Sequence, residues 1–183
     1  MIEPNSHVLD LGCGDGELLS LLMKHKNCRA TGIEIDEKAI YKCVERGVTV
    51  SHGDVDSGLQ DYSDGRFDYV ILNESLQEIL HPEKVILEAL RVGKKVIIGI
   101  PNFCNIIARL QIFFLGKVPV TKGLPYTWYN TPNLRFLSIK DFREFCKDRN
   151  ISVECELAIG SQSRIYFWRN LFANVAIFSI HKN

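Results

Sequence analysis

Three glycines at alternate positions, Gly12, Gly14 and Gly16, follow the apolar run Val8-Leu9-Asp10-Leu11. A carboxylate, Glu34, stands eighteen residues beyond Gly16, in Gly32-Ile33-Glu34-Ile35-Asp36. A strand entering a glycine-rich turn, then a helix, then a second strand ending in an acid outlines a nucleoside-binding half of a doubly wound sheet. The glycines let backbone approach the ligand, and the acid receives ribose hydroxyls.

Turns of this outline serve two kinds of cofactor. A dinucleotide needs neutral donors around its pyrophosphate at the helix N-terminus, and nearby carboxylates oppose it. Here Asp10, Asp15 and Glu17 lie in or beside the loop, and the two-residue gap of the dinucleotide fingerprint is absent before Gly16. S-adenosylmethionine (SAM) carries a sulfonium and an ammonium but no phosphate, so acids attract it. The loop therefore reads as a site for SAM, or its product S-adenosylhomocysteine, rather than for NAD.

Each residue has an expected role beside a plainer one. Glu34 can accept both ribose hydroxyls, since Asp36 is better placed to cap the next helix. Gly12, Gly14 and Gly16 face the methionine part of the cofactor, and Asp10 braces the loop or meets the ammonium through water. Cys13 is expected to be a small side chain packed beneath the ligand, not a nucleophile. Asp54, after Gly53, reaches the adenine amino group or makes an ordinary turn. Asn73 faces the methyl end or satisfies local backbone. Ile35 and Val55, beside Glu34 and Asp54, complete the expected cofactor-binding set.

The elements that must hold these residues follow from periodicity. Strands are predicted at Val8–Leu11, Ala30–Ile35, Val48–Ser51, Phe67–Leu72 and Val96–Ile100, alternating with helices at Gly16–Lys26, from Asp36 to Gly47, and from Pro82 to Arg91. The fold class is thus α/β, doubly wound, with a mostly parallel sheet of the seven-stranded kind and helices on both faces. Ser138–Arg149 reads as a helix capped by Ser138, and Ile151–Ile159 with Leu171–Ile180 as an antiparallel pair that closes the sheet. Ile106, Ile107, Leu110, Phe113 and Phe114 form one helical stripe, expected to pack against its own domain. From Gly116 to Leu137 a long loop carries Pro119, Pro125, Tyr126, Trp128, Tyr129 and Pro132, and loops of that length tend to be functional.

The chain has 183 residues, 46% of them hydrophobic, which suits one domain spanning 1–183. Its substrate or partner region is expected at about 103–137. No long uncharged apolar stretch or secretory signal is legible, so the expectation is a cytoplasmic protein without a membrane role. Six scattered cysteines have no metal-ligand spacing and read as reduced thiols; no metal site is expected. Formal charge is zero but uneven. Residues 1–88 hold 17 acids and 8 bases, whereas residues 89–140 hold 8 bases and no acid. A basic middle beside a cofactor fits an anionic substrate or an acidic partner face, and fits equally a surface whose counter-charges come from elsewhere. Neither the charge balance nor a basic-aromatic module supports nucleic-acid binding.

Five stretches carry a more specific likeness: Val8 to Leu19, Gly32 to Asp36, Phe67 to Leu72, Pro101-Asn102-Phe103, and above all Pro119-Val120-Thr121-Lys122-Gly123-Leu124-Pro125-Tyr126-Thr127-Trp128-Tyr129-Asn130-Thr131-Pro132-Asn133. Over about residues 4 to 160 the chain resembles the MetW family of bacterial methionine-biosynthesis proteins. The resemblance implies a class I SAM methyltransferase-like domain that acts in methionine biosynthesis together with a homoserine O-acyltransferase. The sequence shows little of the helix that often precedes the first strand and closes over the cofactor. The aromatic segment after Gly160, with Tyr166, Phe167 and Trp168, resembles the family less clearly.

If methyl transfer occurs, in-line displacement depends mainly on positioning. None of His7, His25, His52, His81 and His181 stands out as a base, and Glu74 and Tyr126 are the weak candidates for proton removal. Two readings remain open: a SAM-binding partner of the acyltransferase that docks through its basic aromatic loop, or a methyltransferase for a small anionic molecule. Arg109, Lys117, Lys122, Tyr126, Trp128 and Arg135 are the residues expected to meet that substrate or partner.

Overall fold

The computed structural model describes residues 1–183 except Lys122. Seven strands form one sheet in the order β3-β2-β1-β4-β5-β7-β6. They are β1 (His7–Leu11), β2 (Arg29–Glu34), β3 (Thr49–His52), β4 (Phe67–Asn73), β5 (Gly93–Pro101), β6 (Ile151–Ile159) and β7 (Val175–Lys182). The first five pair in parallel, while β7 runs antiparallel to both β5 and β6. The order reverses between β1 and β4. A crevice opens at such a reversal, beyond the carboxyl ends of the strands, because the connections leave to opposite faces.

Side-chain alternation explains why both faces are covered. Val8, Tyr69, Ile71 and Ile97 pack with Leu19 and Leu22 of α1 (Glu17–Lys26) and Cys43 of α2 (Glu37–Glu45). Their neighbours Leu9, Leu11, Val70, Leu72, Ile98 and Ile100 pack on the other face with Val85, Ile86 and Ala89 of α3 (Pro82–Val92) and Ile139, Phe142 and Cys146 of α5 (Ile139–Asp148). Strands apolar on both sides are what a sheet buried between two helical layers requires.

The expected caps are present. Pro82 opens α3. The Asp36 carboxylate accepts from Lys38 N at 3.1 Å, and Ser138 forms a reciprocal capping box with Asp141. Gly47 follows α2 at φ 71°, where glycine bears no Cβ penalty.

Two expectations are corrected. The predicted strand from Leu171 begins only at Val175, because Arg169–Phe172 is a short helix, α6. Asn102 is the cause: its fully buried side chain donates from Nδ2 to the carbonyls of Asn170 (3.0 Å) and Ala173 (2.8 Å), drawing that segment out of line with the sheet. The apolar stripe beginning at Ile106 does not pack inward. Helix α4 ends after Ile106–Leu110, and a wider π-type turn, Gln111–Leu115, follows. The stripe faces outward from within α4 itself, where Ile107 is 50% and Leu110 47% exposed while Ala108, off the stripe, is the buried contact; Phe113 and Phe114 continue the exposed face.

Much of the basic middle is neutralised from elsewhere. Arg91 pairs with Glu88 and Asp64, Lys94 with Asp68, Lys95 with Glu154, and Lys140 with Glu144. Among the described residues Arg109, Lys117 and Arg135 make no ion pair, and Lys122 lies outside them. Arg135 instead donates to the carbonyls of Ile79 and Leu80.

Candidate cofactor site

The loop after β1 turns because Gly12, Gly14 and Gly16 all adopt left-handed backbone (φ 74°, 55° and 74°). Larger residues pay a steric penalty there. A Cβ on Gly14 would meet nothing within 4 Å, so open space lies over the middle of the loop. Beneath the loop packing is tight. Cys13 Sγ sits 3.9 Å from Cys43 Sγ, and a Cβ placed on Gly32 would come within 2.3 Å of Cys13 Sγ. Burial drives the Cys13 and Cys43 thiols up, away from thiolate, so the geometry gives Cys13 a packing position.

Glu34 ends β2 with its carboxylate buried against this loop. Oε2 accepts from Gly14 N at 2.7 Å, and Oε1 accepts from Ile35 N (2.8 Å) and Asp36 N (3.0 Å). Three amide donors hold the group in one orientation; Oε1 is filled by two of them, and Oε2, which accepts only from Gly14, keeps a lone pair for a hydroxyl donor. Asp10 is also buried, and its Oδ1 has no hydrogen-bond partner. Burial first, and the Glu34 charge second, raise the Asp10 carboxyl from an ordinary 3.8 to about 7. A buried acid with an orphaned oxygen beside a second acid calls for a cation or a donor.

The loop's other acids stand differently. Asp15 is held by Arg46, with Nη1 2.7 Å from Oδ2, and Glu17 is exposed at the start of α1. The acid pair of the site is therefore Asp10 with Glu34, rather than the three loop acids the sequence singles out.

Asp54 follows β3, is exposed, and caps a 3₁₀ turn (Val55–Ser57) by accepting from Asp56 N at 2.9 Å. Val55 is half-buried beside it, and Ile35 is 60% exposed. Asn73 and Glu74 stand exposed at the end of β4, with Glu74 at φ 56°, an unusual backbone for a glutamate. Two residues that periodicity did not point to complete the rim. Ser75 Oγ donates to Leu11 O at 3.1 Å and its Cβ lies 3.2 Å from where a Gly12 Cβ would stand. Glu78 stands exposed on the same segment, its carboxyl raised by partial burial first and by the Glu34 charge second. Only the local run after β4 could have flagged them.

Among the residues expected to meet a substrate or partner, Arg109 lies on α4, while Lys117, Tyr126, Trp128 and Arg135 lie between α4 and α5, all exposed. That segment is anchored rather than free. Val120 exchanges two hydrogen bonds with the Gln111 amide (2.9 and 3.1 Å), and the Gln77 carbonyl accepts from Leu134 N and Arg135 N. Tyr126 and Trp128 line the same small recess, while Arg109 and Arg135 belong to two different cavities. No group of acids, histidines and cysteines with metal-binding geometry occurs among the described residues, nor any helix long and apolar enough to cross a membrane.

Comparison with known proteins agrees with this architecture. A possible histamine N-methyltransferase from Thermotoga maritima, described as SAM-dependent, superposes with a TM-score of 0.69 at 19% identity, covering 100% of this chain and 84% of that one. A putative methyltransferase from Haloferax volcanii, solved with the Trm112 methyltransferase activator, gives 0.72 at 15% identity over 98% and 84%. At those identities they show the fold, which is that of class I SAM methyltransferases. The bifunctional methionine biosynthesis protein MetXA/MetW of Rhodopirellula baltica is 33% identical over 195 residues, covering all of this chain and 31% of that longer protein. This chain thus spans about a third of that relative's length. The model of the methionine biosynthesis protein MetW family matches residues 1–180, and the chain belongs to that family.

Proposed function

We propose that the crevice at the β1/β4 reversal binds SAM or S-adenosylhomocysteine, and that the chain acts in methionine biosynthesis beside a homoserine O-acyltransferase. One observation carries the cofactor reading: Glu34, locked by three amides at the end of β2, stands beside a buried Asp10 whose Oδ1 lacks a partner. Two adjacent acids under an open loop suit a sulfonium and an ammonium, and oppose a pyrophosphate. Glu34 would hold the ribose, Asp10 and the backbone of Gly12 to Gly16 the amino-acid end, Asp54 with Ile35 and Val55 the adenine, and Asn73 the rim at the reactive end. When bound, SAM supplies a methyl group activated by the positive sulfur. The chain's own part is to orient the acceptor and exclude water, with Glu74 and Tyr126 as the proton acceptors within this reading.

The chain 1–183 is proposed to work as one domain whose 103–137 region meets the partner. The partner reading is supported by the Rhodopirellula protein, whose name joins MetXA and MetW in one polypeptide. It is also supported by exposed Trp128 and Tyr129 beside unpaired Lys117 and Arg135, which favour an acidic partner face. The second reading, methyl transfer to a small anionic molecule, draws on the same uncompensated positive charge.

Calorimetric titration tests the cofactor. SAM and S-adenosylhomocysteine are expected to bind, NAD not, and Glu34→Ala to weaken both cofactors by at least about tenfold, the scale of a lost charge-assisted hydrogen bond. Binding of NAD alone would overturn the assignment. Pull-down with the acyltransferase tests the partner: Trp128→Ala is expected to release it, and undiminished retention rejects docking through this loop.

A further inference from the structure

The crevice leaves unused the aromatic run Tyr166-Phe167-Trp168 and a group of arginines that converge elsewhere. A separate cavity of about 460 Å³ is lined by Arg109 of α4, Arg143 of α5, Arg169 of α6, and the rings of Tyr166 and Trp168. We propose that this cavity binds a small dianion carried on a planar ring, an aryl phosphate monoester being the simplest member of the class.

Charge is the first argument. Of the three guanidiniums, which come from three different helices, two share one carboxylate, that of Glu156, and the third has none. Arg143 takes it as a two-pronged pair (2.6 and 2.8 Å), and Arg169 reaches it at 3.2 Å. Arg109 donates its Nε to Cys104 O at 2.7 Å and makes no ion pair among the described residues, leaving both terminal nitrogens available. The surplus is two positive charges. Guanidinium forks match phosphate oxygens in pairs, and a phosphate monoester carries about −1.5 to −2 at neutral pH, which balances that surplus.

The second argument is the wall. Trp168 lies nearly parallel to Phe172, with 8° between planes and centroids 6.3 Å apart, and its 74% exposed indole can receive a flat group. Its backbone is left-handed (φ 46°), a costly state for a bulky side chain that persists only where neighbours impose it. They do so here. Leu171 N bonds Trp168 O at 2.8 Å, buried Asn102 grips the Asn170 and Ala173 carbonyls, and the Asn170 side-chain oxygen accepts from Lys140 N at 3.1 Å. The backbone that carries Trp168 and Arg169 is thereby fixed before any ligand arrives, which lowers part of the ordering cost of binding. The volume suits one ring with one phosphate, within the common range of about 300–1,000 Å³ for small-molecule sites.

This inference does not depend on SAM binding. Titration calorimetry of the chain with phenyl phosphate, inorganic phosphate and phenol tests it. Phenyl phosphate is expected to bind at least about tenfold more tightly than either half, because charge and stacking both contribute. Arg109→Gln should weaken phenyl phosphate about tenfold while leaving the circular dichroism spectrum intact, since Arg109 is exposed. Trp168→Ala should erase the preference for phenyl phosphate over inorganic phosphate. Glu34→Ala should change nothing, which separates this cavity from the cofactor crevice. Three outcomes overturn the proposal: binding indifferent to Arg109→Gln, equal affinity for phenyl phosphate and inorganic phosphate, or no binding of phenyl phosphate while polyglutamate binds through the same arginines.

Discussion

At the scale of single residues, Asp10 makes the sharpest demand. Its folded carboxyl titrates near 7 against an ordinary 3.8, so between these values the folded chain keeps a proton that the unfolded chain has lost. The contribution of Asp10 to stability is therefore fully present below 3.8, falls as pH rises through the window, and is gone above about 7. Denaturant titrations across that window are expected to show wild type losing stability relative to Asp10→Asn as pH rises; parallel curves would show that the acid ionises freely. The same carboxyl links binding to pH. A cationic ligand favours the ionised form, so SAM affinity should rise from about pH 6 to about pH 8 by up to about tenfold per unit below the folded value, and Asp10→Asn should flatten the profile. Gly32 makes a second demand, one of space rather than charge. A methyl there meets Cys13 Sγ at 2.3 Å and Cys13 Cβ at 3.0 Å, so Gly32→Ala should destabilise by about 1–3 kcal/mol in thermal or chemical denaturation. Cys13→Ala should return part of that loss in the double variant, because the sulfur is the nearest obstacle.

At the scale of elements, what could be read from sequence divides by how local the cause is. Strands β1, β2, β4 and β5, the caps at Asp36, Pro82 and Ser138, and the Gly12 to Gly16 turn all follow from neighbours in the chain, and these place Glu34 and Asp10 at the β1/β4 reversal. The start of β7 was not legible. Asn102 lies about seventy positions from the carbonyls it binds, and nothing local distinguishes Leu171 and Phe172 from strand residues. The stripe at Ile106 to Phe114 faces outward already at Ile107 and Leu110 of α4, because periodicity finds an apolar face without saying which face the rest of the domain covers. The rim residues Ser75 and Glu78 were missed because their positions depend on how the segment after β4 folds back on Leu11 and Glu34. Asn102→Ala should accordingly act at a distance. It leaves two carbonyls, at Asn170 and Ala173, without their donor, and should cost about 1–3 kcal/mol per buried group left unpaired. Hydrogen exchange is expected to accelerate across residues 169–174 before it changes in β1 or β4; uniform acceleration would mean that Asn102 supports the whole sheet rather than this corner.

At the scale of the whole molecule, zero formal charge conceals a division of labour. Of the acids of the first half, Asp10 and Glu34 meet at the crevice while others pair outward, and the bases of residues 89–140 include two contrasting groups. Arg91, Lys94 and Lys95, around the start of β5, are compensated by Asp64, Glu88, Asp68 and Glu154. Past the other end of β5, Arg109, Lys117 and Arg135 stay uncompensated among exposed rings at Phe113, Phe114, Trp128 and Tyr129. Apolar side chains exposed at such density beside unpaired cations have the composition of a binding face rather than of ordinary surface. If that face meets an acidic partner, its charges act mainly in solvent and are screened within about 10 Å at 0.1 M salt. Capture of the acyltransferase should then weaken steeply as salt rises from about 0.05 to 0.5 M, and Lys117→Glu should reproduce the high-salt loss at low salt. SAM titration of the same samples supplies the internal contrast. The Asp10–Glu34 pair is buried and screened less, so cofactor affinity should change far less over that range. A complex as insensitive to salt as the cofactor would place the docking energy in Phe113, Phe114 and Trp128, and would remove the basic charge of the loop from the account of partner choice.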